Sequence, residues 1–183
     1  MVNLPTIITV SRIIIILPFV LIAPESPFWG AVLFSIAAIT DYFDGYLARK
    51  TKQVTKFGIL LDPIADKLLV ISALILFVDM ELIPAWIAIV IIAREFIVTG
   101  LRIVALTKDI VIPAEMGGKI KVTAQIASII ILLVDKTLIS IDLYGMGILL
   151  LWVAMIMGLI SGVQYFILFW QRIEMTDWDS KSE

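Results

Sequence analysis

Leu143-Tyr-Gly-Met-Gly-Ile-Leu-Leu-Leu-Trp-Val-Ala-Met-Ile-Met-Gly-Leu-Ile-Ser-Gly-Val-Gln-Tyr-Phe-Ile-Leu-Phe-Trp170 carries no charged side chain. About 20 apolar residues in a helix cross a bilayer core about 30 Å thick, so this stretch reads as a membrane span. Five more apolar stretches precede it: about Ile7–Ala23, Pro27–Lys50, Phe57–Val78, Pro84–Leu106 and Lys119–Val134. The whole chain has the same character. Of its 183 residues 61% are hydrophobic and 16% charged, with a mean hydropathy of +1.09. Soluble domains hold about 45–50% apolar and about 25% charged residues, so an ordinary soluble fold is excluded, and so is disorder. The expected fold is an all-α integral membrane protein in one domain, 1–183. Six transmembrane helices would surround a polar cavity open to the cytoplasm, and the tail at about 172–183 need not be ordered. No basic segment precedes the first apolar run and no small-residue cleavage site follows it, so no cleaved signal peptide is expected.

Lys and Arg placement gives the orientation. Arg49, Lys50, Lys52 and Lys56 crowd one connection, Lys108, Lys119 and Lys121 another, and Arg172 and Lys181 the tail. The opposite connections hold only Lys136 among several acids. Both termini should then be cytoplasmic, in a cell-membrane protein. The charges within the spans obey the same polarity. Arg12, Asp41, Asp44, Asp62, Asp66, Lys67, Arg94, Glu95, Arg102, Lys119 and Lys121 all fall in the cytoplasmic half, leaving the outer half apolar. Asp66 lies on the order of 10 Å inside the core, from a rise of about 1.5 Å per residue.

Asp41 and Asp44 are three residues apart, and Asp62 and Asp66 four, so each pair shares a helix face. Gly45 and Ala48 continue the first stripe, and Gly58 precedes the second by one turn. A charge at mid-membrane costs about 2.5–3.5 kcal/mol on the insertion scale, so four clustered carboxylates need a cation among them. The chain has no His and no Cys. An all-oxygen ligand set selects a hard ion, Mg2+ or Mn2+, and two ions about 3.5–4 Å apart would suit phosphoryl transfer. The alternative is ordinary helix-end charge paired with Arg49 and the basic connection. That serves for Asp41 or Asp44 alone better than for all four.

The stretch Asp41-x2-Asp44-Gly45-x2-Ala48-Arg49-x8-Gly58-x3-Asp62-x3-Asp66 resembles, without departure, the signature of the CDP-alcohol phosphatidyltransferases. Asn3-x-Pro5-Thr6 with Thr9 and Arg12, Ala93-Arg94-Glu95 with Arg102, and Gly118-Lys119-x-Lys121-x-Thr123-x-Gln125 are similar to the phosphatidylglycerophosphate synthases of that family. The resemblance implies a metal-dependent enzyme of phospholipid biosynthesis that displaces CMP from CDP-diacylglycerol with an alcohol. By position it implies that Asp41, Asp44 and Asp62 ligate metal. Asp66 would be the general base on the acceptor hydroxyl and touch the second metal. Gly45 and Ala48 would let the cytidine diphosphate lie against the helix, with Gly58 and Asp41 beside it. Arg49 would contact it, and Asn3 and Thr6 would help to hold it. Related enzymes are homodimers, which gives the same expectation here.

Arg94 and Arg102, a little over two turns apart, point to one side of a helix, and Lys119 and Lys121 open the next. This cluster suits a phosphate on the acceptor, which favours glycerol 3-phosphate, with inositol phosphate as the alternative. Basic side chains anchoring at the interface are the plainer reading of Lys121 and Lys108. An ion-coupled transporter is the rival from another class, but it predicts midplane acids and two similar halves. There is no basic footprint for nucleic acid. Phe28, Trp29, Trp86, Trp152, Trp170 and Trp178 read as lipid-facing or interfacial anchors, and Gly158-x3-Gly162 as a helix contact.

Overall fold

The structure, a computed structural model, describes residues 14–51, 56–107, 116–135 and 143–179. Side chains are described within them except at 41–51, 56–66, 106, 116, 135 and 174–179. The described residues form six helices and no strand. These are α1 (14–22), α2 (Pro27–Thr51), α3 (Lys56–Asp79), α4 (Ala85–Thr107), α5 (Met116–Asp135) and α6 (Tyr144–Asp179). Two of them contain windows long and apolar enough to cross a membrane, Gly117–Val134 and Tyr144–Ile173.

The helix boundaries have local causes. Ser26 precedes Pro27, an N-cap residue followed by the imino acid preferred at the first helical position, and α2 starts there. Gly30 sits one turn in because a Cβ there would come 2.5 Å from the Cβ of Ala23, so α1 and α2 can turn this tightly only without that atom. α3 ends in a Schellman turn. Leu82 N donates to Phe77 O at 2.8 Å and Glu81 N to Val78 O at 3.1 Å, with Leu82 packed near Phe77 in the core. Glu81 takes the left-handed conformation there, φ 57°, and the Tyr144 hydroxyl pins the turn by donating to Leu82 O at 2.9 Å. A non-glycine residue in that region costs about 1–2 kcal/mol, while glycine adds about 0.5–1 kcal/mol of chain entropy to the unfolded state. Glu81→Gly is therefore expected to stabilise the fold by roughly 0.5–1 kcal/mol. A lowered thermal midpoint in detergent would contradict this.

α5 packs most extensively against α6, α4 against α6, α2 against α5, and α3 against α4. The α5–α6 seam is close because Gly147 lies over Leu132, 2.7 Å from where its Cβ would be, and Ser128 Oγ donates to Gly147 O at 2.7 Å. The main core gathers Phe19, Phe34, Leu74, Phe77, Ile129, Leu133 and Leu151 from five helices. A smaller cluster, Ala105 and Phe169 with Leu101 and Ile173, sits farther along α4 and α6. Between the two clusters both helices turn polar.

The outer surface is apolar. Ile14, Leu17 and Leu21 on α1 are 64–65% exposed, and Leu149, Ile156, Ile160, Val163, Ile167 and Trp170 run down one side of α6. A soluble protein does not present such continuous apolar stripes, whereas lipid solvates them. The aromatic anchors described, Phe28, Trp29, Trp86, Trp152 and Trp170, are all substantially exposed, with Trp86 and Trp152 paired edge to face at 5.5 Å. α6 continues beyond the apolar run to Asp179, giving 36 residues and about 54 Å. Gln171 to Asp179 contain neither Gly nor Pro, so nothing stops the helix when it leaves the hydrocarbon.

Candidate active site

α2 and α3 carry the four aspartates, and their backbone fixes the depth of each. Asp44 lies about 10 Å from the end of α2 at Thr51, and Asp62 about 9 Å from the start of α3 at Lys56. Asp41 and Asp66 each lie about 15 Å from those same ends. Residues 52–55 join the two helices in sequence, and the two pairs lie at matching distances along α2 and α3 from that connection. Pro63 stands between Asp62 and Asp66 without interrupting α3; its ring removes the N–H that would bond to the carbonyl of Ile59. The side chains of Asp41, Asp44, Gly45, Ala48, Arg49, Gly58, Asp62 and Asp66 lie outside the described ones, and Asn3, Thr6 and Arg12 outside the described residues. As a donor set, four carboxylates without His or Cys fit a hard divalent cation.

The second cluster is described in full. Glu95, 8% exposed, is its hub. Arg94 Nη1 lies 3.3 Å from Glu95 Oε1, and Lys121 Nζ, on a residue 5% exposed, donates to the same oxygen. Lys67 Nζ lies 3.8 Å from Glu95 Oε2 and 3.5 Å from its backbone carbonyl, and donates to Thr99 Oγ1. Thr99 in turn donates to Glu95 O at 2.7 Å. The guanidinium reaches α6 as well, with Nε donating to Gly158 O at 2.7 Å and Nη2 to Ser161 Oγ at 3.1 Å. Three helices thus meet on one buried carboxylate and α6 joins them through the Arg94 guanidinium, which offsets the cost of burying the cations gathered there.

The Gly158-x3-Gly162 pattern finds its partner inside the chain. A Cβ at 158 would touch Lys121 Cγ at 3.5 Å, and one at 162 would touch Arg94 Cγ and Nε at 3.5 Å. The bare strip of α6 is a shelf along which the Arg94 and Lys121 stems lie. A methyl fits there; anything larger would displace the charged heads.

Of the four basic residues, the structure brings Arg94 and Lys121 together on Glu95 and leaves the other two on the margin. Arg102 is exposed, its guanidinium 5.9 Å from the centre of the Tyr165 ring, and Lys119 is exposed at the start of α5. Lys67 is read in the sequence only as a charge of the same polar half, and Thr99 and Ser161 are not singled out there. The signal for Thr99 was its position four residues after Glu95, and for Ser161 its place between the two glycines. The space bordering Arg94, Glu95, Lys121 and Gly158 is only about 10 Å3, enough for about one water.

Known proteins are similar to this chain over most of its length. Residues 2–161 match the family model of CDP-alcohol phosphatidyltransferase. A CDP-diacylglycerol–glycerol-3-phosphate 3-phosphatidyltransferase of Bacillus subtilis (strain 168) is 43% identical, covering 97% of this chain and 100% of its own. Proteins of the same name from Rickettsia bellii (strain RML369-C) and Wigglesworthia glossinidia brevipalpis are 42% and 38% identical over 90% and 93% of this chain. They cover 93% and 97% of their own lengths. A chain whose described elements are all helices, with lipid-facing stripes, an unbroken aspartate signature and this breadth of identity, belongs to the CDP-alcohol phosphatidyltransferase family, a family of transferases, and is embedded in a membrane.

Proposed function

We propose that this enzyme transfers the phosphatidyl group of CDP-diacylglycerol to glycerol 3-phosphate, giving phosphatidylglycerophosphate and CMP. The full-length similarity to the Bacillus subtilis transferase carries this reading. The basic cluster supports the anionic acceptor: Arg94 and Lys121 converge on one point from two helices, where a phosphate oxygen could take the place of a carboxylate oxygen.

In the proposed topology all six helices cross the cell membrane as one domain, 1–183, with both termini and a polar cavity on the cytoplasmic side. α2 to α5 have 25, 24, 23 and 20 residues, each enough for about 30 Å. The working unit is a homodimer, as resemblance to the family implies. Asp41, Asp44, Asp62 and Asp66 hold Mg2+ or Mn2+, two ions at full occupancy. When bound, these supply positive charge against the pyrophosphate and the departing CMP.

The chain's own residues do the rest. Gly45, Ala48 and Gly58 leave room for the cytidine diphosphate, and Arg49, Asn3 and Thr6 contact it. Arg94 and Lys121 seat the acceptor phosphate, with Arg102 and Lys119 drawing it in from the margin. Asp66 takes the proton from the acceptor hydroxyl. That oxygen bonds to the phosphorus bearing diacylglycerol, and the bond from this phosphorus to the CMP oxygen breaks. Direct attack is preferred to a phospho-enzyme because the chain offers no thiol or imidazole nucleophile.

The test is CMP release by purified protein given CDP-diacylglycerol, Mg2+ and one acceptor at a time. Glycerol 3-phosphate should support turnover, and inositol phosphate, serine and choline should not. Turnover with inositol phosphate in preference would replace the acceptor. EDTA should abolish activity, with recovery on adding Mg2+ or Mn2+; activity unaffected by the chelator would remove the metal from the scheme.

A further inference from the structure

Gln125 is 3% exposed, yet its side-chain Nε2 finds no hydrogen-bond acceptor among the described residues. Buried amides are nearly always paired, and one left without an acceptor weakens the fold. Its place on α5 says where an acceptor would come from. Gly117, Lys121 and Leu132 lie against Ser161, Gly158 and Gly147 of α6, and Ser128 bonds to Gly147, which defines the face of α5 turned to that helix. Gln125 follows Lys121 by four residues, turned about 40° from it and about 6 Å farther along the axis. That turn carries it toward the side on which Ile129 and Leu133 are wholly buried, into the bundle and away from lipid.

We propose that Gln125 is a further substrate-binding residue, its amide donating to an oxygen of the acceptor held at the Arg94–Lys121 cluster. The proposal rests on the acceptor reading above. A phosphorylated alcohol whose phosphate lies between Arg94 and Lys121 carries hydroxyl oxygens beyond it, and Gln125, one turn farther along α5 than Lys121, would donate to one of them. An oxygen of the bound acceptor would supply the partner that the amide lacks among the described residues.

The decisive variants are Gln125→Met, which keeps length and removes the amide, and Gln125→Leu. An amide reserved for substrate predicts opposite changes in stability and function. In substrate-free protein in detergent, the thermal midpoint should hold or rise by about 2 °C or more, because an unpaired polar group has gone. The acceptor KM should rise about tenfold or more, while the CDP-diacylglycerol KM stays within about twofold. A lowered midpoint in both variants would mean that the amide is bonded within the fold, and would overturn the proposal. An unchanged acceptor KM would overturn it too, and a rise confined to the lipid KM would assign the amide to the nucleotide lipid instead. Arg94→Met separates this from the reading beneath it. If that variant leaves the acceptor KM unchanged, the acceptor site itself is misplaced, whatever the Gln125 midpoints show.

Discussion

Asp66→Asn is expected to lower kcat by about 10²- to 10⁴-fold, the usual contribution of a positioned general base, while the CDP-diacylglycerol KM stays within about twofold. The two side chains have the same shape, so α3 keeps its path and its packing on α4. The next residue makes this a clean experiment. Lys67 is tied to Glu95 and Thr99 of α4, so the turn bearing position 66 remains anchored in the variant. What is lost is the capacity to take a proton, along with the charge of one proposed metal ligand, so a modest rise in the Mg2+ requirement should accompany the fall in kcat. Asp44→Asn gives the contrast, because a residue that serves only as a ligand should raise the Mg2+ requirement and the lipid KM together. Normal turnover by Asp66→Asn would remove it as the base. A rise in lipid KM and Mg2+ requirement matching that of Asp44→Asn would leave it only a ligand.

The parts of this fold readable in the sequence are those set by solvent. A run such as Leu143–Trp170 has one physical solution in a bilayer, and the helix found there, Tyr144–Asp179, starts within a residue of it. Asp41 and Asp44 announce a shared face through spacing alone. What spacing cannot show is which helices meet. Glu95 reads in sequence as the neighbour of Arg94. Its role as the hub depends on Lys67, 28 residues earlier, and Lys121, 26 later, arriving at the same depth. Gly158 and Gly162 read as a helix contact, but not that the contact would be with the stems of Arg94 and Lys121. Glu81 was unreadable for another reason, since the left-handed turn that it occupies normally takes glycine.

Arg94→Met should raise the KM for glycerol 3-phosphate by about 10- to 100-fold, the range for losing one charge-assisted hydrogen bond worth about 1.5–3 kcal/mol. The lipid KM should move far less. Arg94→Lys will not restore the wild-type value, because one ammonium cannot reproduce a fork that reaches Gly158 O, Ser161 Oγ and Glu95 Oε1 at once. It should fall between Met and Arg, since the charge survives and the geometry does not. Ser161→Ala isolates the positioning part. It removes one bond to Nη2 and leaves the charge, so the acceptor KM should rise only a fewfold, while the guanidinium stays held by Gly158 and Glu95. The order wild type, Ser161→Ala, Arg94→Lys, Arg94→Met in rising acceptor KM is what a phosphate seat requires. A buried ion pair with no part in binding would produce a different pattern: both KM values shifting together, and the losses following thermal stability instead of charge.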